Sequence, residues 1–273
     1  MWTWADRARL EHLEQPPIVE VICGVHFDPL EVDPVLAGAF WAERRDRFPH
    51  RKILPALHAA PDPMGVMVAL GGAMPLRTWL ISADETHLVQ IQQDRFYLNW
   101  RRRPQGGDYP HFASSGEHGL LAQALREFDA FGRFCEQTLA KSPTVRRVEL
   151  GKVDHFAEGD SWSGSADLAR MMPGLAPFLA LCEGGRSDVL WRVHDRKGES
   201  EFTATAASTL AFEAGNPQPR KGLKFETSVV LPATAGDLEA KFRIANKTVN
   251  AAFDILVPAS ERQTRFCSRT GSP

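Results

Sequence analysis

The residues that could carry chemistry in this chain are histidines, carboxylates and a run of polar side chains in an extended segment. Two neighbouring pairs, Asp154 with His155 and His194 with Asp195, have the side-chain types of a general acid and base. Adjacent residues of a strand point to opposite faces, so neither pair forms a catalytic dyad by itself. One hypothesis is therefore a hydrolase or ligand-binding enzyme whose site is assembled between two halves of the chain.

The spacing patterns of known catalytic and metal sites are missing from the sequence. The nine histidines contain no His-x-x-x-His pair, and the four cysteines contain no Cys-x-x-Cys pair. The glycine pairs at residues 71–72 and 106–107 lack the lysine and the helix start of a phosphate-binding loop. We therefore predict no catalytic residue, no metal site and no cofactor. This favours a non-enzymatic protein while leaving an enzymatic role open.

Residues 79–103 read as extended chain but carry polar side chains that a plain core strand does not use. Within this segment the apolar positions change from odd numbers, as at Val89, to even numbers, as at Trp100. Because the side-chain period of a strand is two, the shift predicts a bulge or a turn at residues 92–94. Beyond it, alternate residues share one face. The predicted partner-binding residues are this face and the arginines that follow it, namely Gln93, Arg95, Tyr97, Asn99, Arg101, Arg102 and Arg103.

Three interpretations of this face stay open. Glutamine, arginine, tyrosine and asparagine favour a protein interface, whereas the lysine, glutamate and threonine of a solvated strand are missing. The same alternation is also that of the solvent side of an antiparallel sheet. The third interpretation is a nucleic-acid-binding region around Arg101, Arg102 and Arg103. Arginine contacts phosphate, and the aromatic rings interleaved with the arginines could stack on bases.

Composition bounds the class of protein and its partners. The chain has 273 residues, of which 43% are hydrophobic and 24% charged, which is typical of a globular protein with a sizeable core. The formal net charge of −2 offers no global attraction to nucleic acid or to an anionic membrane. No apolar run has the length of a membrane span, and the first residues lack the apolar core of a secretory signal. With its isolated cysteines, the sequence predicts a cytoplasmic protein without a membrane partner.

Hydrophobic periodicity predicts the elements that position the polar face. Residues 120–139 carry apolar side chains at helical spacing before Pro143, which predicts a long helix. Residues 237–256 predict a second long helix in the same way. A β-branched run predicts a strand at residues 18–27, and alternating runs predict an antiparallel meander over residues 65–101.

Prolines mark further boundaries. Pro34 predicts the first turn of a helix over residues 35–48, and Pro49 and Pro55 predict an end to regular structure after it. In the second half of the chain, three runs with the residue composition of strands predict strands at residues 189–195, 201–212 and 223–231.

The order of these elements predicts an α+β fold, with antiparallel sheets and long helices packed on one face. A hydrophilic run rich in serine and glycine at residues 157–167 predicts a boundary near residue 158. Residues 1–158 would form an N-terminal α+β half that carries the polar strand, and residues 159–273 a C-terminal α+β half that ends in a long helix. The similar order of elements makes the two halves candidate relatives of one another.

Several segments resemble one family in combination. They are PPIVEV at residues 16–21, QIQQDRF at residues 90–96, NWR at residues 99–101, YPHF at residues 109–112 and AFDILVPASERQTRF at residues 252–266. Together they resemble a sporadically distributed prokaryotic protein family of unknown function. The resemblance implies no catalytic residues, and a sporadic distribution is typical of mobile or defence-associated genes. The leading hypothesis is a non-enzymatic cytosolic binding or accessory protein that recognises a protein partner in a bacterial defence or toxin-control system.

Overall fold

The structure is a computed structural model that describes Trp2 and residues 16–56, 76–103, 109–112, 119–159, 165–179, 190–211 and 220–266. The first strand of the predicted meander and both glycine pairs lie outside the described residues. The strands are β1 (Ile18–Phe27), β2 (His50–Pro55), β3 (Leu76–Ile81), β4 (His87–Gln92), β5 (Arg95–Arg101), β6 (Val145–Ala157), β7 (Leu190–Lys197), β8 (Ser200–Ala211) and β9 (Arg220–Pro232). The helices are α1 (Pro34–Arg44), α2 (Leu120–Leu139), α3 (Ser165–Met171), α4 (Ala176–Leu179), α5 (Leu238–Leu256) and α6 (Ala259–Phe266), with a 3-10 turn at Pro173–Leu175.

All nine described strands belong to one antiparallel sheet, in the order β2-β3-β4-β5-β1-β6-β9-β8-β7. The predicted fold class, with several antiparallel sheets, long helices packed on one face and two similar α+β halves, is therefore wrong. Strands make up 41% of the described residues and helices 35%, so the single sheet dominates over any helical layer. The physical reason is that strand pairing is non-local: the first strand along the chain lies between the fifth and the sixth.

By internal contacts the chain divides into two compact units. Residues 22–148 and 232–239 form the first unit. The second unit consists of residues 1–21, 149–231 and 240–273. The chain passes between the units four times, inside β1, β6, β9 and α5, whereas the sequence predicted one boundary near residue 158. None of the described helices has the length and apolar character needed to cross a membrane.

The core of the first unit contains aromatic side chains of α1, α2 and β5. Phe96 of β5 stacks on Phe131 of α2, with ring centroids 5.3 Å apart, and Phe40 of α1 meets the same Phe131 edge-on at 5.6 Å. All three rings are buried. Burying such side chains contributes about 1.5–3 kcal/mol each, so this aromatic cluster fixes which face of β5 points to the helices.

The core of the second unit is built from β6, α5 and α6. The ring of Phe156 stacks on Phe253 with centroids 6.3 Å apart, and it also contacts Phe266 at 5.9 Å. Beside them, Nζ of the buried Lys152 donates a 2.6 Å hydrogen bond to Oδ1 of Asn250. The partner matters because a buried ammonium group is costly unless it is hydrogen-bonded.

The turn predicted at residues 92–94 is confirmed. Gln92 lies opposite Arg95 in the β4–β5 ladder, so Gln93 and Asp94 form a two-residue hairpin loop. In this register odd-numbered residues of β4 face even-numbered residues of β5, as in the pair of Val89 with Leu98. The hairpin therefore places both apolar runs on the same side, which accounts for the change of phase in the sequence.

Candidate functional site

A polar face covers the side of β3, β4 and β5 that lies opposite Phe96 and the helices. Directly paired residues of antiparallel strands point to the same side, and the ladders pair Trp79 with Gln90 and Gln90 with Tyr97. Alternation along each strand adds the remaining members. The polar face consists of Arg77, Trp79, Gln90, Gln92, Arg95, Tyr97, Asn99 and Arg101.

Gln90 is the centre of this face. Its side-chain oxygen accepts hydrogen bonds from Nη1 of Arg77 at 2.9 Å and from Nε1 of Trp79 at 2.8 Å. Its amide nitrogen donates to Oδ1 of Asn99 at 3.1 Å. Gln90 is only 6% exposed and Asn99 only 2%. Buried polar groups are stable only when they are hydrogen-bonded, so this network fixes the positions of the Arg77 and Trp79 side chains.

Tyr97 continues the buried layer towards β1. The residue is 3% exposed, its hydroxyl oxygen lies 3.3 Å from Nε2 of His26, and the two rings meet edge-on at 5.9 Å. Tyr97 and Asn99 therefore lie on the face that the sequence predicted, but they are buried and do not present their side chains to solvent. This burial follows from partners on β1, β3 and β4, which the sequence of β5 does not reveal.

Gln93 and Arg95 lie at the hairpin end of the face. Gln93 is exposed in the loop, and its backbone oxygen accepts a hydrogen bond from the backbone nitrogen of Leu30 at 2.8 Å. Nε of Arg95 lies 3.4 Å from Oδ2 of Asp94, and 13% of the Arg95 side chain is exposed. The charge of Arg95 is therefore balanced by a neighbouring carboxylate at this end.

The other end of β5 is Arg101, and Arg102 and Arg103 follow it directly; we call these three residues the arginine rim. The guanidinium of Arg101 lies over the ring of Trp79, 5.7 Å from its centroid, and its Nη2 donates to the backbone oxygen of Glu85 at 3.4 Å. Nη2 of Arg103 is 3.6 Å from Oε2 of Glu85. Arg102 is exposed. The rim therefore brings positive charge to the surface on side chains that are partly held in place.

The ring of Trp79 contacts two cations, because the guanidinium of Arg77 also lies over it at 5.1 Å. Arg77 is half-buried, and this burial lowers the pKa of its guanidinium. The aromatic residues interleaved with the arginines are buried, with Phe96 and Trp100 at 1% exposure. These rings are therefore not exposed for stacking on bases, which the nucleic-acid hypothesis requires.

The histidines of the enzymatic hypothesis lie in the second unit and are not brought together. The ring of His155 lies against Gly222 of β9, so close that an added Cβ would be 2.9 Å from its Cε1. His194 is exposed on β7, with Nδ1 3.1 Å from Oγ1 of Thr203, and Thr203 pairs with Ser228 of β9. Ser228 is six residues beyond Gly222 (228 − 222), which is roughly 20 Å along a strand.

The carboxylates of the same hypothesis have different surroundings. Asp154 is buried, with 3% exposure, whereas Oδ2 of Asp195 accepts a 2.7 Å hydrogen bond from Nε1 of Trp2. Across the part of the chain that the structure describes, no group of three or more histidine, cysteine, aspartate or glutamate side chains is close enough to hold a metal ion.

The structure also contains a charged cluster around a buried carboxylate, which the sequence prediction did not include. Glu127 of α2 is fully buried and binds two arginines, Nη2 of Arg44 at 2.6 Å and Nη1 of Arg47. Nη2 of Arg47 also donates to Oε1 of Gln123 at 2.8 Å. The sequence did contain a signal for this cluster. Gln123 and Glu127 are four residues apart in the helical spacing that also includes Phe131, so two polar residues lie on the apolar face of α2.

His87 of β4 borders this cluster. Burial lowers the pKa of His87, and the positive charge of Arg47 lowers it further. The negative charges of Asp84 and Glu127 raise this pKa, but by less, so the net direction is downward. Nδ1 of His87 lies 2.9 Å from Oγ1 of Thr86, which donates to Oδ2 of Asp84 at 2.7 Å. The arrangement favours the neutral imidazole.

Comparison of the chain with protein-family models, with curated proteins and with solved structures found no match in any of the three. The resemblance to a sporadically distributed prokaryotic family stays a prediction from the sequence. Function is therefore inferred from the polar face and its arginine rim.

Proposed function

We propose that this chain is a non-enzymatic cytoplasmic binding protein that recognises an acidic protein partner through the arginine rim. The observation that supports it is the contrast along β5. Tyr97 and Asn99 are engaged in a buried network, whereas Arg101, Arg102 and Arg103 bring three positive charges towards the surface. Association with a bacterial defence or toxin-control system stays a hypothesis that rests on the sequence resemblance.

The chemistry of the rim suits carboxylates. A guanidinium is planar and donates two parallel hydrogen bonds to a carboxylate, so arginine is well suited to recognising aspartate or glutamate on a partner. Contacts with the ring of Trp79 and with the backbone oxygen of Glu85 hold Arg101 before any partner arrives. Side chains that are already ordered lose less conformational entropy on binding, which favours affinity.

A protein partner is favoured over nucleic acid for a structural reason. Single-stranded nucleic acid is held by exposed aromatic rings in addition to cations, and Phe96, Tyr97 and Trp100 are all buried. An acidic protein surface requires only the cations. The formal net charge of −2 also leaves the rim as a local feature rather than part of a basic chain.

The test compares proteins that copurify with the chain from its native host. Arg102→Glu reverses an exposed rim charge, and Arg45→Glu makes the same change at an exposed position after α1. We expect a partner that is retained by the wild type and by Arg45→Glu but is bound about tenfold more weakly by Arg102→Glu, a difference of about 1.4 kcal/mol. Retention by both variants would contradict the proposal, and so would a partner that nuclease digestion removes.

A second variant should act in the opposite direction. Glu85→Gln removes the carboxylate that lies beside Arg103, so this arginine no longer has an internal competitor for the partner. We expect the affinity for the copurified partner to rise severalfold. An unchanged or reduced affinity would mean that the rim does not make the contact.

A further inference from the structure

An open groove of about 540 Å³ runs beside α2 in the first unit, between this helix, the start of β6 and the turn before α5. Its floor is apolar and includes Leu125 and Phe128 of α2, Val145 of β6 and Leu238 of α5. The volume lies within the range of grooves that bind ligands, and apolar floors of this kind accept apolar side chains.

The edge of the groove is acidic. Its lining contains three carboxylates, Asp129, Glu136 and Glu239, and one guanidinium, Arg133, so the formal balance is two negative charges (three minus one). Arg133 donates to Asp129, and the hydroxyl of Ser142 donates to Glu136. A cationic ligand would therefore be attracted to the edge while an apolar group covers the floor.

We propose that this groove binds a peptide segment of a partner protein in which apolar side chains are flanked by lysine or arginine. Charge complementarity with the acidic edge selects the basic residues, and the floor formed by Leu125 and Phe128 selects the apolar ones. The inference goes beyond the proposed function, because the groove has the opposite charge to the arginine rim and would hold a different class of partner surface.

One glycine allows the groove to be blocked without distorting the fold. Gly236 lines the groove in the turn from Thr234 to Asp237, and a Cβ added there would meet no atom within 4 Å. Its backbone lies outside the left-handed region, so a larger side chain is not strained. Gly174 has the same two properties and does not line the groove, which makes it a matched control position.

The experiment measures fluorescence polarisation of short labelled peptides with the full chain. The probe alternates leucine and lysine; one control peptide alternates leucine and glutamate, and another alternates serine and lysine. We expect the leucine and lysine peptide to bind at least about tenfold more tightly than either control. Gly236→Trp should weaken this binding by about tenfold, whereas Gly174→Trp should not change it.

Several results would overturn the proposal. They are equal binding of the leucine and glutamate peptide, unchanged binding by Gly236→Trp, and a self-association that Gly236→Trp abolishes, since that would assign the groove to a second copy. If Gly236→Trp fails to fold, the double variant Glu136→Lys with Glu239→Lys decides. This double variant should bind the leucine and glutamate peptide more tightly than the leucine and lysine peptide. If it still binds the leucine and lysine peptide more tightly, the proposed site is wrong.

Discussion

Nε1 of Trp79 donates a 2.8 Å hydrogen bond to the side-chain oxygen of Gln90 on the neighbouring strand. The same oxygen accepts from Arg77, and the ring that is held in this way lies under the guanidinium of Arg101. A buried glutamine therefore positions the tryptophan that in turn positions one member of the arginine rim. Stability of the polar face and geometry of the rim are linked through this residue.

Replacing Gln90 should destabilise the fold and disturb the rim together. Gln90→Leu leaves the donors of Arg77 and Trp79 without their acceptor, and such losses cost about 1–3 kcal/mol each when the group is buried. We expect a loss of about 2 kcal/mol in the free energy of unfolding, measured by urea denaturation. Gln93→Leu, in the exposed loop, should stay within about 0.5 kcal/mol of wild type. Equal effects of the two changes would refute the structural role of Gln90.

The free energy of unfolding should decrease as the pH is lowered through a range set by the pKa of His87. Burial lowers its pKa in the folded chain below the ordinary value of 6.5. The unfolded chain therefore binds more protons in this range, so stability is fully present above about pH 6.5 and is lost as the pH falls towards the lower folded pKa. Urea denaturation between about pH 7.5 and 5 should show this slope in the wild type and a smaller one in His87→Gln.

The carboxylate of Asp28 titrates in a different pH range and serves as a comparison. The hydrogen bond from Arg146 lowers the pKa of Asp28 from its ordinary value of 3.8, so the stability that it contributes is lost only as the pH falls below about 3.8. Asp28→Asn should therefore leave the slope above pH 5 unchanged. If His87→Gln also leaves that slope unchanged, a different group titrates there.

Gly132 of α2 should tolerate a methyl group. An added Cβ would lie 3.9 Å from Cδ of Pro143, an ordinary van der Waals contact. Alanine loses less backbone entropy in a helix than glycine, so Gly132→Ala should raise the free energy of unfolding by about 0.5–1 kcal/mol. Thermal unfolding checks this prediction, and a lower melting temperature would show that α2 packs more tightly here than the contact indicates.

Gly222 of β9 should behave in the opposite way. Its added Cβ would crowd the ring of His155 and lie 3.2 Å from the backbone oxygen of Phe156. Gly222→Ala should therefore lower the free energy of unfolding by about 1–3 kcal/mol, the usual range for overpacking. In a double-mutant cycle the same change should be less harmful in the His155→Ala background. Additive effects would mean that the two residues do not press on one another.

Local features of the fold were predictable from particular residues. The apolar spacing predicted a helix at residues 120–139, and α2 spans Leu120–Leu139. The change of phase before Phe96 predicted the turn that Gln93 and Asp94 form. Both signals succeed because helical and strand periodicities depend on neighbours within a few residues along the chain.

The sequence prediction missed strand β2 because of two nearby prolines. Pro49 and Pro55 predicted the end of regular structure, yet β2 runs over His50–Pro55 and pairs with β3. β2 is the first strand in the order of the sheet, and proline is tolerated in an edge strand, where the missing N–H leaves no ladder bond unmade. The sequence alone does not reveal which strand will lie at the edge.

By itself the sequence determined α1, α2 and α5, most strands, the hairpin turn and the alternation that places Arg95, Tyr97 and Asn99 on one face. Only the tertiary structure decided that the described strands form one sheet, that Tyr97 is buried beside His26 while Arg102 is exposed, and that Arg47 neutralises Glu127. The physical reason is the distance along the chain: His26 and Tyr97 are 71 residues apart, and Arg47 and Glu127 are 80 apart. Periodicity identifies a face, but burial and charge partners depend on segments that only the folded chain brings together.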